Sequence, residues 1–286
     1  MAGEIGAKVL LVTGASSGIG REIVQRFSAG GWRVFATIRT SEDADSLARL
    51  TGVTPLICDL SAPGAADTLM DEFASISSRL DLLVNNAGFG VRGAIEDQTD
   101  AAIRAMFEVN VFAPTALARR AAMFLRNGGG GTIVNISSVT GELASPLSGT
   151  YAATKHALEA ITDALRMELE RDGIHVVSIQ PGPVATRFME RSYRDSAPWF
   201  AASTRYTTDY AHARRGWDRT HASAIRPEVI ADLVWRIAHA RRPAPRYRRH
   251  FLARIAPHLV YWMPRRWLDR LLQRSTHLLP GRREKG

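Results

Sequence analysis

The chain has 286 residues, 45% hydrophobic and 23% charged, the proportions of a folded α/β globule rather than of a disordered chain. No run reaches the roughly 18 apolar residues that span a bilayer, and the single cysteine, Cys58, excludes an intrachain disulfide. The net charge of +9 belongs to one end: residues 241–286 hold 13 basic and 2 acidic residues, whereas residues 1–240 hold 24 basic and 26 acidic ones. With Glu4 near its start and no basic, apolar leader, the chain reads as cytoplasmic. Nucleic-acid binding is disfavoured because no base-reading motif accompanies the basic end.

Residues 8–13 (KVLLVT) form a short, nearly continuous apolar run, which predicts a strand covered on both faces in a parallel sheet. TGASSGIG follows at 13–20, then a helix with Ile23, Val24 and Phe27 inward, ended by Gly30 and Gly31. Strand, glycine turn and helix form the setting of a dinucleotide site. Gly14 permits the turn, Gly18 lets the backbone approach a pyrophosphate, Gly20 lets helix and strand pack closely, and the helix N-terminus offers free N–H groups. A glycine-rich turn without a ligand is the alternative.

The second predicted strand is 33–38 (RVFATI). Ile38 stands where an acid would hold the ribose 2′-hydroxyl of NAD, and Arg39 follows it, suited to the 2′-phosphate of NADP. NADP(H) is therefore favoured over NAD(H), although Arg39 also suits a local ion pair with Glu42 or Asp43. A short helix over 44–50, a third strand at 53–58, a helix at 67–76 and a fourth strand at 80–84 follow. The turns after the last two strands hold Asp59-Leu60, where Asp59 also fits an N-cap, and Asn85-Asn86-Ala87-Gly88.

Residues 99–125 read as one long helical region in which Asn110 interrupts an apolar face. Gly128 to Gly131 break it, and 132–137 (TIVNIS) predict a fifth strand that delivers Ser138 at its carboxyl end, the edge where parallel sheets bind ligands. Tyr151 and Lys155 lie four apart on a helix whose apolar face continues through Leu158, Ile161, Leu165 and Leu169. A phenol with a solution pKa of about 10 becomes a usable acid or base when a cation favours its phenolate, and the Ser138 hydroxyl suits a carbonyl or alcohol oxygen beside it. Taken alone, the spacing also fits a half-buried Tyr and a solvated Lys.

A sixth strand is predicted at 174–180, followed by PGPVAT at 181–186. Residues 187–222 show no clean period but carry seven of the 22 aromatic residues, Phe188, Tyr193, Trp199, Phe200, Tyr206, Tyr210 and Trp217. A helix from 226 to about 239, with Pro227 at its first position, leads to a seventh strand at 246–251. Residues 264–279 predict a basic amphipathic helix, with Trp267, Leu268, Leu271, Leu272, Leu278 and Leu279 on one side and four arginines elsewhere. Such a helix suits an anionic membrane surface, the substrate pocket or a subunit contact.

TGASSGIG, the Asn85–Gly88 turn, Asn110, Ser138, Tyr151 with Lys155, and Pro181-Gly182, in that order, closely resemble the short-chain dehydrogenase/reductase family, with a flavour of its hydroxysteroid and retinol dehydrogenases. The resemblance implies one Rossmann-type α/β domain, a doubly wound sheet of about seven parallel strands, over 1–251, with a substrate lid at 187–222 and an extension at 252–286. It implies an NADP(H)-dependent oxidoreductase, metal-free, that interconverts a ketone or aldehyde and an alcohol on a largely apolar substrate. Asn110, Ser138, Tyr151 and Lys155 take the catalytic roles. Cofactor contacts fall to Gly14, Ser16, Ser17, Gly18, Ile19, Gly20, Arg39, Asp59, Leu60, Asn86, Ala87, Gly88, Tyr151, Lys155, Pro181, Gly182, Val184 and Thr186. A homodimer or homotetramer through the helices of Asn110 and Tyr151 is expected. A reductase of carrier-bound acyl ketones and a non-catalytic NADP-binding scaffold are the alternatives.

Overall fold

The computed structural model describes residues 6–203 and 205–276. Seven strands, β1 (Val9–Val12), β2 (Arg33–Ile38), β3 (Val53–Ile57), β4 (Leu82–Asn85), β5 (Gly131–Ile136), β6 (Ile174–Gln180) and β7 (Arg246–Arg248), form one sheet in the order β3-β2-β1-β4-β5-β6-β7. Every pairing is parallel. The order reverses between β1 and β4, so the turns after these strands open a crevice at the carboxyl edge.

The continuous apolar runs are explained by burial on both faces. Val9 and Leu11 of β1 enter one core, and Leu10 and Val12 enter the other, as the two-residue repeat of a strand requires. The first core is closed by α3 (Ala65–Ile76) and α5 (Ala113–Asn127) and contains the edge-to-face rings Phe35, Phe73 and Phe124, with centroids 4.9 and 5.4 Å apart. The second is closed by α1 (Gly18–Ala29) and α9 (Pro227–Ala238) through Ile23, Val24, Phe27, Ile230 and Val234. Each fully buried Leu or Phe contributes about 1.5–3 kcal/mol.

Several boundaries differ from the sequence expectation. The helix expected over 44–50 is α2 (Ser41–Ala48), so Glu42 and Asp43 occupy its first turn, where the helix dipole favours acids. The long region 99–125 is divided into α4 (Asp100–Phe107), a π turn (Glu108–Phe112) centred on Asn110, and α5. The catalytic-motif helix is α6 (Gly149–Leu169). Residues 187–222 contain two helices, α7 (Phe188–Ala202) and α8 (Thr207–Ala222).

The seventh strand stops at Arg248 instead of continuing to Phe251. Its last register partner is Gln180; the next residue, Pro181, has no N–H to offer the ladder, and Gly182 turns away at φ 80°. Phe251 instead opens α10 (Phe251–Trp262), which the sequence did not suggest, and α11 (Arg265–Thr276) follows. Leu278 and Leu279, assigned above to that amphipathic helix, lie outside the described residues. α10 packs on β7 and on the turn Val139–Gly141, and α11 packs on α8. Among the described residues, no helix is long and apolar enough to cross a membrane.

Candidate active site

The glycine turn is held open by its neighbours. Gly14 has φ 69° and Gly18 has φ 59°, a region that side chains disfavour. A Cβ on Gly18 would stand 2.8 Å from Thr186 Cγ2, and one on Gly20 would strike the Gly14 carbonyl oxygen. Asn86 clamps the same turn: its Nδ2 donates to the carbonyls of Thr13 and Gly14 at 2.8 and 3.0 Å. Ser17 precedes α1 without capping it, so the first N–H groups of the helix remain available to an anion.

Tyr151 and Lys155 project from the first turns of α6 and are both buried. Lys155 Nζ donates to the Ile136 carbonyl at 3.0 Å and lies 5.9 Å from the Tyr151 ring centroid. Burial lowers the Lys155 pKa to about 8, against the opposing pull of Glu159. The Tyr151 phenol is pushed up from its ordinary value by burial, and is opposed by the charge of Arg92 and by a hydrogen bond from Ser138. Ser138 sits just past β5, where its Oγ accepts from the Thr140 N–H at 3.2 Å. Leu147, just before α6, is buried with φ 62°, a strained conformation for a branched side chain of the kind that collects at functional sites.

Asn110 is buried and fully engaged. Its Nδ2 donates to the Phe89 carbonyl at 2.8 Å and to Thr154 Oγ1 at 3.1 Å, and its Oδ1 accepts from the Phe89 N–H at 3.1 Å. It ties the chain after the Asn85–Gly88 turn to α6. A second buried amide set supports the same edge: Asn85 Nδ2 donates to Asn135 Oδ1, and Asn135 Nδ2 to Thr162 Oγ1, each at 2.8 Å.

One cavity of about 580 Å³ runs along the carboxyl edge of the sheet, and the residues expected from the sequence to act in catalysis or contact the cofactor line it, except Gly20 and Asn110. Arg39 and Asp59 mark one end, Ser138 and Tyr151 the other. Asp59 accepts from the Ser61 N–H and Oγ at 3.0 and 2.8 Å, capping a turn rather than a helix, and those bonds hold its carboxyl below the usual range. Cys58 is half-buried beside it, and burial pushes its thiol up to about 11, which leaves it a poor nucleophile. The site fits a phosphorylated dinucleotide: a glycine cradle too tight for side chains, an uncapped helix end, and Arg39 beyond the second strand.

α7 supplies a further wall of the cavity. The Tyr151 ring packs with Val91, Met106 and Trp199, flanked by Phe89, Phe188 and Phe200, and Phe188 lies 5.6 Å from it, centroid to centroid. Tyr210 anchors α8 by donating to Asp97 and accepting from the Ala94 N–H. Arg92 is the wall residue that sequence reasoning missed. The available signal was an arginine inside Phe89-Gly90-Val91-Arg92-Gly93-Ala94, a glycine-rich apolar run directly after the Asn85–Gly88 turn.

Residues 8–197 match the family model described as short chain dehydrogenase. The chain is 32% identical over 277 residues to the NADPH-dependent 3-dehydrocapnine reductase of Ornithobacterium rhinotracheale, covering 94% of this chain and 97% of the relative. It is 25% identical over 274 residues to the 3-ketodihydrosphingosine reductase of Bacteroides thetaiotaomicron, covering 95% and 97%. A short-chain dehydrogenase from Burkholderia cenocepacia solved in complex with NADP superposes with a TM-score of 0.72 at 25% identity, covering 96% and 99%. The chain belongs to the short-chain dehydrogenase/reductase family and is an NAD(P)-dependent oxidoreductase.

Proposed function

We propose that the protein is an NADP(H)-dependent reductase of ketones carried on largely apolar molecules, working reversibly as an alcohol dehydrogenase. The observation that carries this reading is that Ser138, Tyr151 and Lys155 line the same cavity as the glycine turn, under a wall of lid aromatics. NADP(H) is the cofactor. Arg39 supports the phosphorylated form, as do the NADPH dependence named for the capnine relative and the NADP bound in the Burkholderia structure. Both relatives named above are reductases, one of a 3-keto compound.

When bound, NADPH supplies the hydride. The protein's part is to hold and protonate the oxygen. Ser138 and Tyr151 fix the substrate carbonyl, and Tyr151 gives its proton to that oxygen as negative charge develops there. Lys155 keeps one N–H on Ile136 and turns its remaining donors to the nicotinamide ribose hydroxyls. Its charge favours the phenolate that Tyr151 becomes. Asn110 maintains the geometry of this edge, and its main-chain carbonyl serves the proton supply to Lys155. Phe188, Trp199 and Phe200 exclude water.

The test is loss of NADPH absorbance across steroid, retinoid, long-chain and acyl-thioester ketones. Turnover of apolar ketones, faster with NADPH than with NADH, supports the reading. NADPH binding with no ketone reduced overturns it in favour of a scaffold.

Two associations belong to the same proposal. Phe112, Met123 and Met167 are exposed on the π turn, α5 and α6, the face through which a dimer or tetramer would form. Light scattering tests this, and a monomer at micromolar concentration contradicts it. Phe251, Tyr261, Trp262 and Trp267 are exposed on α10 and α11 beside Arg265, Arg266 and Arg270, a composition suited to the surface of an anionic membrane. Sedimentation with anionic but not zwitterionic vesicles is the expected result.

A further inference from the structure

The cavity along the sheet edge is lined by six basic side chains, Arg39, Arg92, Lys155, Arg187, Arg191 and Arg194, and by two acidic ones, Asp59 and Asp195. Both acids are already engaged: Asp59 accepts from Ser61, and Asp195 pairs with Arg194 at 3.0 Å. Three of the cations come from α7 and its N-cap. Arg187, Arg191 and Arg194 are spaced four and three apart, so they share one face of the helix. Arg39 joins them from the sheet, just past β2.

Arg191 stands in the middle of this group. It is half-buried, and burial together with the charges of Arg39, Arg187 and Arg194 holds its pKa below the ordinary value, against the pull of Asp43. Among the described residues, Arg39, Arg187 and Arg191 form no ion pair, and the Asp43 carboxylate instead accepts from Thr40 Oγ1 at 3.3 Å. Guanidinium groups stay charged in a protein, so a cluster of this kind is destabilised by its own repulsion until an anion joins it. A phosphomonoester suits it, with about 1.5 to 2 negative charges at neutral pH and three acceptor oxygens. NADP differs from NAD by one such group, on the adenosine ribose, and the end of the second strand is where that ribose is read.

We propose that Arg191 is a second residue that reads the 2′-phosphate of NADP(H), holding it together with Arg39, so that α7 is fastened at the adenosine end of the cofactor. The same helix carries Phe188 and Trp199 against the Tyr151 ring, and the phosphorylated cofactor thereby secures the wall of the reacting end as NAD(H) does not. The inference rests on the assignment of NADP(H) as cofactor and is independent of which ketone is reduced.

The dissociation constants of NADP⁺ and NAD⁺ are measured calorimetrically with the full chain, for the wild type, Arg191→Met, Arg191→Lys and Arg39→Met. A charge-assisted hydrogen bond of the usual strength predicts that Arg191→Met weakens NADP⁺ about 10-fold or more and NAD⁺ by less than about twofold. Arg191→Lys recovers part of the loss, and Arg39→Met lowers the same preference. A merely structural role would weaken both nucleotides alike. Equal weakening of the two, or a preference for NADP⁺ that Arg191→Met retains, overturns the inference while leaving the cofactor assignment intact. A wild type that binds the two nucleotides equally removes the cofactor assignment and the inference with it. If neither Arg191 variant folds, amide exchange of the wild type decides: greater protection of α7 under saturating NADP⁺ than under saturating NAD⁺ upholds the inference, and equal protection overturns it.

Discussion

The chain before Thr186 and the helices α7 and α8 after it bury different kinds of surface. In the first part the strands alternate apolar side chains into two cores, and β1 and β4 are covered on both sides. In the second, α7 also turns one face inward, at Ser192, Ser196 and Trp199, but two of these three are serines. Ser196 donates to the Ser192 carbonyl at 2.6 Å and accepts from the Arg92 N–H. α7 is thus docked by hydrogen bonds and a few rings, and the sheet by area removed from water. Hydrogen bonds contribute a net of about 1 kcal/mol each, less than a buried leucine, so α7 should open more readily than the sheet.

Amide exchange probes this contrast most strongly. The N–H groups of β1, β4 and β5 are expected to exchange only through global unfolding, with those of α7 and α8 faster by orders of magnitude. Equal protection in the two parts would abolish the distinction.

The buried cation of the first part sharpens it further. Lys155 has its pKa lowered to about 8, so kcat/KM for ketone reduction should hold below that pH and fall above it, approaching tenfold per unit as the charge is lost. The stability effect has the opposite trend. With the folded pKa below the unfolded value of about 10.5, the unfolded chain binds more protons between about pH 8 and 10.5, so stability rises with pH across that window. The cofactor-free wild type should gain thermal stability there relative to Lys155→Met, and a parallel profile for the two proteins would contradict the assigned burial.

The smallest effect belongs to the contact of α7 with Arg92. Ser196→Ala removes the acceptor for the Arg92 N–H and should cost about 1 kcal/mol, read by denaturant unfolding. A larger change in KM than in stability would show that the bond matters through the position of Arg92. No effect on either would remove the serine face from the account.

What was legible in the sequence followed the same division. The strands of the first part were readable because burial on both faces leaves a continuous apolar run, and the glycine turn because only glycine tolerates its φ values. α7 escaped because a stripe of serines gives no apolar period, although the spacing of its buried residues at 192, 196 and 199 is helical. The π turn at Asn110 leaves no mark on the local composition, which stays helical, and only the family resemblance implies a kink there. Beneath α6, Arg246 Nε donates to Glu159 at 2.9 Å, its guanidinium also pairs with Asp163, and Ser178 Oγ donates to Glu159 at 2.6 Å. Those partners lie as far as 87 residues apart, a distance that no local pattern encodes. Arg92 escaped for the same reason, since its meaning depends on α7 folding over it.

The central claim is that Tyr151 moves the proton while a hydride passes from the cofactor to carbon. Reduction of a long-chain ketone with NADPH carrying deuterium at nicotinamide C4 tests it most directly, followed by mass analysis of the alcohol in the wild type and in Tyr151→Phe. Deuterium at the carbinol carbon is expected in the wild type, with a rate lower by roughly 10²–10⁴ in the variant and NADPH binding retained. Deuterium transfer at an undiminished rate in Tyr151→Phe would contradict the account.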